Sequence, residues 1–186
     1  MPPFDSALPL PGFFVGDYGG HGTEIALVRY RRASDDDGND DDADADADDD
    51  DGHILEGFKV TGDPNIPKQK ITFRAFLNKP VFPTKEQQMS KELLKEVESK
   101  GPSSDAAEGQ PQRFYLPSDI YFDMDEETLP KYSRGRFEAK MQIAEHGYRN
   151  PSFTKSQLVV FNPELFGLLI FELDSFMLFQ RVDVDT

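Results

Sequence analysis

Three histidines and one aspartate braced by proline are the residues whose types and surroundings could support chemistry. His21 and His146 each precede a glycine, and each has a carboxylate close by, Glu24 and Glu145, a pairing that suits acid–base work or a zinc ligand set. His53 borders an aspartate run and is expected to be exposed. No HExxH spacing, nucleophile elbow or cysteine ligand accompanies them. Loop histidines bonded to backbone account for such positions without catalysis or metal. Among 35 acidic residues nothing singles out a carboxylate pair for glycoside hydrolysis.

The aspartate is Asp63, in Lys-Val-Thr-Gly-Asp-Pro-Asn-Ile-Pro at residues 59–67. Pro64 and Pro67 each fix their own φ and push the preceding residue, Asp63 or Ile66, toward extended geometry. Asp63-Pro64-Asn65 fits a type I turn with its favoured residue at each corner. Such a corner holds the carboxylate in one place, ready to accept hydrogen bonds. It also suits an ordinary hairpin end whose aspartate caps its own backbone, and spacing alone favours that plainer reading.

Nucleotide and calcium templates fail. Gly16, Gly19, Gly20 and Gly22 match neither the dinucleotide fingerprint nor the P-loop, which also needs Gly-Lys-Ser/Thr before a helix. A calcium-binding β-helix needs several copies of its repeat, and residues 19–24 offer one. With Gly52 in the sixth place of an EF-hand, the first ligand position is Ala47 and the twelfth is Phe58. Glycines that supply positive φ or close backbone approach are the better account.

The elements that must position these residues are mostly strands. Residues 13–15 and 25–30 read as a hairpin; residues 54–61 and 70–77 read as a second, paired across 62–69. Residues 113–116, 136–143, 157–161, 167–173 and 176–182 continue the pattern, the last two as nearly unbroken apolar runs. Residues 84–100 are expected to form a helix, with Met89, Leu93, Leu94 and Val97 on its buried face and Gly101-Pro102 ending it. Residues 33–53 form an acidic, disordered insertion, and residues 101–112 a flexible linker. The expected fold is mainly β: an antiparallel barrel or sandwich, over one domain at residues 12–182, with one or two helices.

Composition narrows the partners. Residues 35–51 hold 12 of the 35 acids, so outside that run 23 acids face 20 bases, a net of −3. No cluster of Lys and Arg stands out along the chain, so nucleic acid is not an expected partner. With 16 Phe and no Trp, the core should be Phe-rich. Zero cysteines remove disulfides, thiol nucleophiles and Cys-ligated zinc. No apolar run approaches the roughly 20 residues that span a bilayer, and the start lacks a secretory pattern. Neither membrane nor cofactor is expected.

Residues 16–24 (Gly-Asp-Tyr-Gly-Gly-His-Gly-Thr-Glu), the 59–67 stretch, His146-Gly147-Tyr148 and residues 166–182, ending Phe-Gln-Arg-Val, occur together in one family. In that order and spacing the chain resembles the substrate-binding domain of F-box only protein 31 type ubiquitin-ligase receptors. The resemblance implies a β-barrel-like, non-catalytic domain whose pocket binds the C-terminal segment of a client protein for a cullin-RING (SCF-type) ligase. It implies a place for Asp63 at that pocket and makes Thr61, Asn65 and His21 candidates beside it. A fixed carboxylate could read a terminal amide or peptide N–H while repelling a free carboxylate. It implies work in the cytoplasm or nucleus, with the ligase adaptor and cullin as partners only if an F-box is supplied elsewhere in the gene. Animal members carry Cys near the position of Met141, so a Cys-dependent metal site is not expected here. Two rival readings remain: a stress-signalling sensor domain like that of the plastid EXECUTER proteins, and a small-ligand barrel or an enzyme using His21, Asp63 and Glu24.

Overall fold

Alternating apolar and polar residues put every second side chain of a strand on one face, and a sheet whose inner faces are all apolar buries them by closing on itself. The computed structural model describes residues 8–17, 22–33, 52–99 and 110–182. Strands β1 (Gly12–Asp17), β2 (Thr23–Arg32), β3 (His53–Lys59) and β4 (Ile71–Pro80) come first. Helices α1 (Lys85–Gln88) and α2 (Lys91–Lys95) follow, then a small ribbon of β5 (Gln112–Arg113) and β6 (Tyr132–Ser133). The chain returns through β7 (Gly135–Glu145), β8 (Arg149–Asn162), β9 (Leu165–Ile170) and β10 (Ser175–Val182). All but β5 and β6 close an antiparallel barrel in the order β1-β2-β3-β4-β7-β8-β9-β10. The expected mainly β barrel is the observed fold.

An eight-stranded barrel leaves a lumen that side chains can just fill. Here Phe14, Phe73, Phe166 and Phe179 fill it, with Phe166 stacked on Phe179 at 5.2 Å and tilted against Phe14 at 5.0 Å. Gly57 makes room for Phe73: a Cβ there would stand 2.2 Å from the ring. A second apolar cluster lies outside the barrel, where Leu94, Val97, Phe114 and Ile120 from the β4–β7 excursion cover Val159, Phe161, Leu169 and Phe176. Strand β9 and the first half of β10 are therefore buried on both faces, which explains their apolar runs.

Several expectations need correction. The single helix at 84–100 is instead α1 and α2, each with its own cap: Thr84 and Gln87 form a capping box, and Ser90 Oγ accepts from Leu93 N–H. Leu94 and Val97 are buried, but Met89 and Leu93 are exposed. The strand expected at 113–116 shrinks to β5, while β8 starts eight residues before 157 through a polar stretch. Pro151, which has no N–H to give, sits there at a break in the β7–β8 register. His53 is half-buried at the start of β3, opposite Arg32, rather than exposed. The acidic insertion (33–53) and the linker (101–112) lie largely outside the described residues, as does His21.

Candidate functional site

Strands β1, β3, β7 and β9 run toward the same end of the barrel, and their ends build a cavity of about 300 Å³ there. Its anchor is Lys59, the last residue of β3. Leu55, Gly57 and Lys59 share the inward face, which places an ammonium on the parity reserved for the core. On β2, Glu24 shares the inward face with Ala26 and Val28. Lys59 Nζ donates to Glu24 Oε2 at 2.9 Å and to Asp63 Oδ2 at 2.6 Å. Lys59 is only 4% exposed and Glu24 3%, so one buried cation draws two carboxylates together.

The other oxygen of Asp63 holds the corner. Oδ1 accepts the N–H groups of Asn65 and Ile66, both at 2.7 Å, and Asp63 N–H donates to Ile66 O at 3.0 Å. The carboxylate thus closes the turn upon its own backbone, as the plainer reading expects, and lines the cavity as well. Burial pushes the Asp63 carboxyl up, but the Lys59 ammonium and the two backbone N–H groups outweigh it and hold it below the usual carboxylate value. The corner is bolted to the β7–β8 hairpin: Asn65 Nδ2 donates to Ala144 O at 2.9 Å, and Gly147 N–H to Pro64 O at 2.7 Å.

Ile66, Met141, Ile143 and Met177 give the cavity an apolar lining, and Asp17, Asp123 and Tyr121 add polar groups. Tyr121 arrives on the β4–β7 excursion, strapped to the β9–β10 turn by Tyr121 N–H to Asp174 O at 2.6 Å and Phe176 N–H to Tyr121 O at 2.9 Å. Its hydroxyl donates to Asp123 Oδ1, a bond that raises the phenol's pKa.

Asp63 and Asn65 line the cavity together. Thr61 is exposed and outside the lining; its Oγ1 accepts from Ile25 N–H at 3.3 Å and ties the end of β3 to β2. His146 is exposed on the β7–β8 turn, where its carbonyl accepts from Arg149 Nε at 3.1 Å. Among the described residues no group of side chains has metal-binding geometry. Sequence reading missed Lys59, Asp17, Tyr121, Asp123 and the two methionines. The charged pair left a signal: Lys59 and Glu24 occupy core-facing parities on strands whose neighbours there are small or apolar.

Comparison with known proteins bears on the same residues. A family model described as the Cyclin D1 binding domain matches residues 2–186. F-box only protein 31 of Rattus norvegicus is 29% identical over 215 residues, covering 92% of this chain and 38% of the relative. Its Homo sapiens counterpart is 25% identical over 233 residues, covering 92% and 39%. Protein EXECUTER 2, chloroplastic, of Arabidopsis thaliana is 36% identical over 69 residues, 36% of this chain and 10% of the relative. The chain spans less than half the length of these relatives. Since the family model runs through every strand of the barrel and every residue of the Lys59–Asp63 corner, the chain belongs to the Cyclin D1 binding domain family.

Proposed function

We propose that the cavity is the recognition pocket of a substrate receptor for an SCF-type ubiquitin ligase and takes the C-terminal segment of a client protein. The observation that carries this reading is Asp63, a clamped carboxylate in the wall of a cavity of about 300 Å³. That volume lies at the low end of ligand pockets, about 300–1,000 Å³, and suits the end of a chain better than its body. The apolar lining would hold the last side chain. Asp17, Asp63 and Asp123 outnumber Lys59, whose ammonium already faces Glu24, so a free terminal carboxylate would meet like charge. An uncharged end that donates N–H would meet acceptors instead. Family membership and the match to F-box only protein 31 over 92% of the chain support the same role. The module binds rather than transforms, and the ligase adaptor and cullin would join it through an F-box elsewhere, in the cytoplasm or nucleus. A stress-sensing role like that of EXECUTER proteins rests on a match to 36% of the chain and is the weaker reading.

The test is fluorescence polarisation with peptides that differ only in ending as amide or acid. Asp63→Asn should weaken amide-peptide binding at least about tenfold, equivalent to about 1.4 kcal/mol, and narrow the difference between the two ends. Unchanged affinity and preference in a folded variant would remove Asp63 as the reader.

A further inference from the structure

Cross-strand register assembles on the outside of the barrel a row of charges that the linear sequence disperses. Arg29 of β2 lies opposite Glu56 of β3, Glu56 opposite Arg74 of β4, Arg74 opposite Lys140 of β7, and Lys140 opposite Lys155 of β8. These residues alternate with lumen-facing ones such as Val28, Leu55, Phe73 and Met141. Glu56, 1% exposed, sits within 3.4 Å of Arg29, 2.7 Å of Arg31 and 3.2 Å of Arg74. Beside this row the β4–β7 ladder lapses between Ala75 and Pro80 and opens a cleft of about 310 Å³. Its charged lining is Lys79, Lys140, Lys155 and Glu138.

This basic wall stands in a chain of net charge −15, with 12 of its acids at residues 35–51 in the β2–β3 connection. The connection leaves and returns at one point, because Ala33 N–H donates to Gly52 O at 2.9 Å. Its base is therefore the pair of strands that carries Arg29, Arg31 and Glu56. At about 3.3 Å per residue, such a run could reach roughly 30 Å out and back. The five strands from β2 to β8 cover only about 20 Å at a spacing of about 4.8 Å.

We propose that this wall is the docking surface for the chain's own aspartate run, residues 35–51. Charge complementarity and reach both select that occupant, and attraction between exposed charges is screened beyond about 10 Å at 0.1 M salt, so docking weakens as salt rises. The test is zero-length carbodiimide coupling of the full chain, followed by peptide mapping at low and at high salt. Links should join residues 35–51 to Lys79, Lys140 and Lys155 within one molecule and fall several-fold at high salt. In the Lys140→Glu, Lys155→Glu variant, the remaining link to Lys79 should fall as well. Equal coupling to Lys68 and Lys131, insensitivity to salt, or links only between molecules would overturn the proposal, the last by assigning the wall to a second copy. A second measurement uses a synthetic oligo-aspartate peptide as probe. It should bind a variant with the run's aspartates changed to asparagine at least tenfold more tightly than the unaltered chain, and equal binding would also overturn the proposal.

Discussion

Lys59 ties the stability of the barrel to the corner that carries Asp63 and lines the cavity. Its ammonium is buried between Glu24 and Asp63, so removing it strands a buried carboxylate on β2 and loosens the corner at once. Breaking one side of a buried pair costs about 3–5 kcal/mol, whereas replacing both sides by neutral groups is often tolerated. Lys59→Met should therefore destabilise the protein by about that amount in urea unfolding, and adding Glu24→Gln should recover much of it. No recovery would mean that Lys59 acts chiefly through Asp63. The pH dependence follows from Asp63, whose carboxyl lies below its usual 3.8. A lowered carboxyl contributes stability that is full above the unfolded value and is lost as pH falls through the lower native one. The corner should thus be unaffected between pH 5 and 8, and an NMR titration should place the Asp63 midpoint below 3.8. The proline-braced corner was legible because proline and aspartate have fixed local preferences. Lys59 was not, because its partner Glu24 is 35 residues away and only the register joins them.

Elements failed to be legible where tertiary burial overrode local pattern. The stripe Met89, Leu93, Leu94 and Val97 has helical spacing, yet Ser90 caps a new helix within it and turns Met89 and Leu93 outward, 54% and 49% exposed. The excursion that carries these helices covers a buried cation. Arg136, 5% exposed, donates to Gln157 Oε1 and Gln88 Oε1 at 3.2 Å each and lies over the Phe114 ring at 5.5 Å. Burial pushes its guanidinium pKa down to about 9. Amides substitute here for a carboxylate, and Gln157 Nε2 also donates to Leu94 O at 3.2 Å, so one side chain joins barrel, cation and helix. Gln157→Leu should cost about 1–3 kcal/mol by leaving buried donors and acceptors unmet. Arg136→Met, which removes the charge itself, should cost less than Gln157→Leu in thermal or urea denaturation. The reverse order would show that the guanidinium holds the excursion more strongly than the amides do.

At the scale of the whole molecule, strand content and the Phe-rich core could be read from alternation and composition, but strand order could not, since β1–β10 closure joins the two ends of the fold. Closure leaves a seam, and the chain before β1 packs across it: Leu10 N–H donates to Pro163 O at 2.8 Å, and Tyr30 of β2 donates its hydroxyl to Pro9 O. Burial raises the Tyr30 phenol from its usual 10.0 to about 12. A raised group contributes stability that is fully present below the unfolded value and is lost as pH rises through the folded one, so the window here runs from 10 to about 12. Tyr30→Phe removes both the hydrogen bond and the titration. At pH 8 it should cost about 1 kcal/mol, the net worth of such a bond. Above pH 10 the unaltered protein loses its advantage while the Phe variant does not, so the gap between their urea midpoints should close. A gap that stays constant to pH 11.5 would show that the phenol ionises freely and that the segment before β1 does not seal the seam.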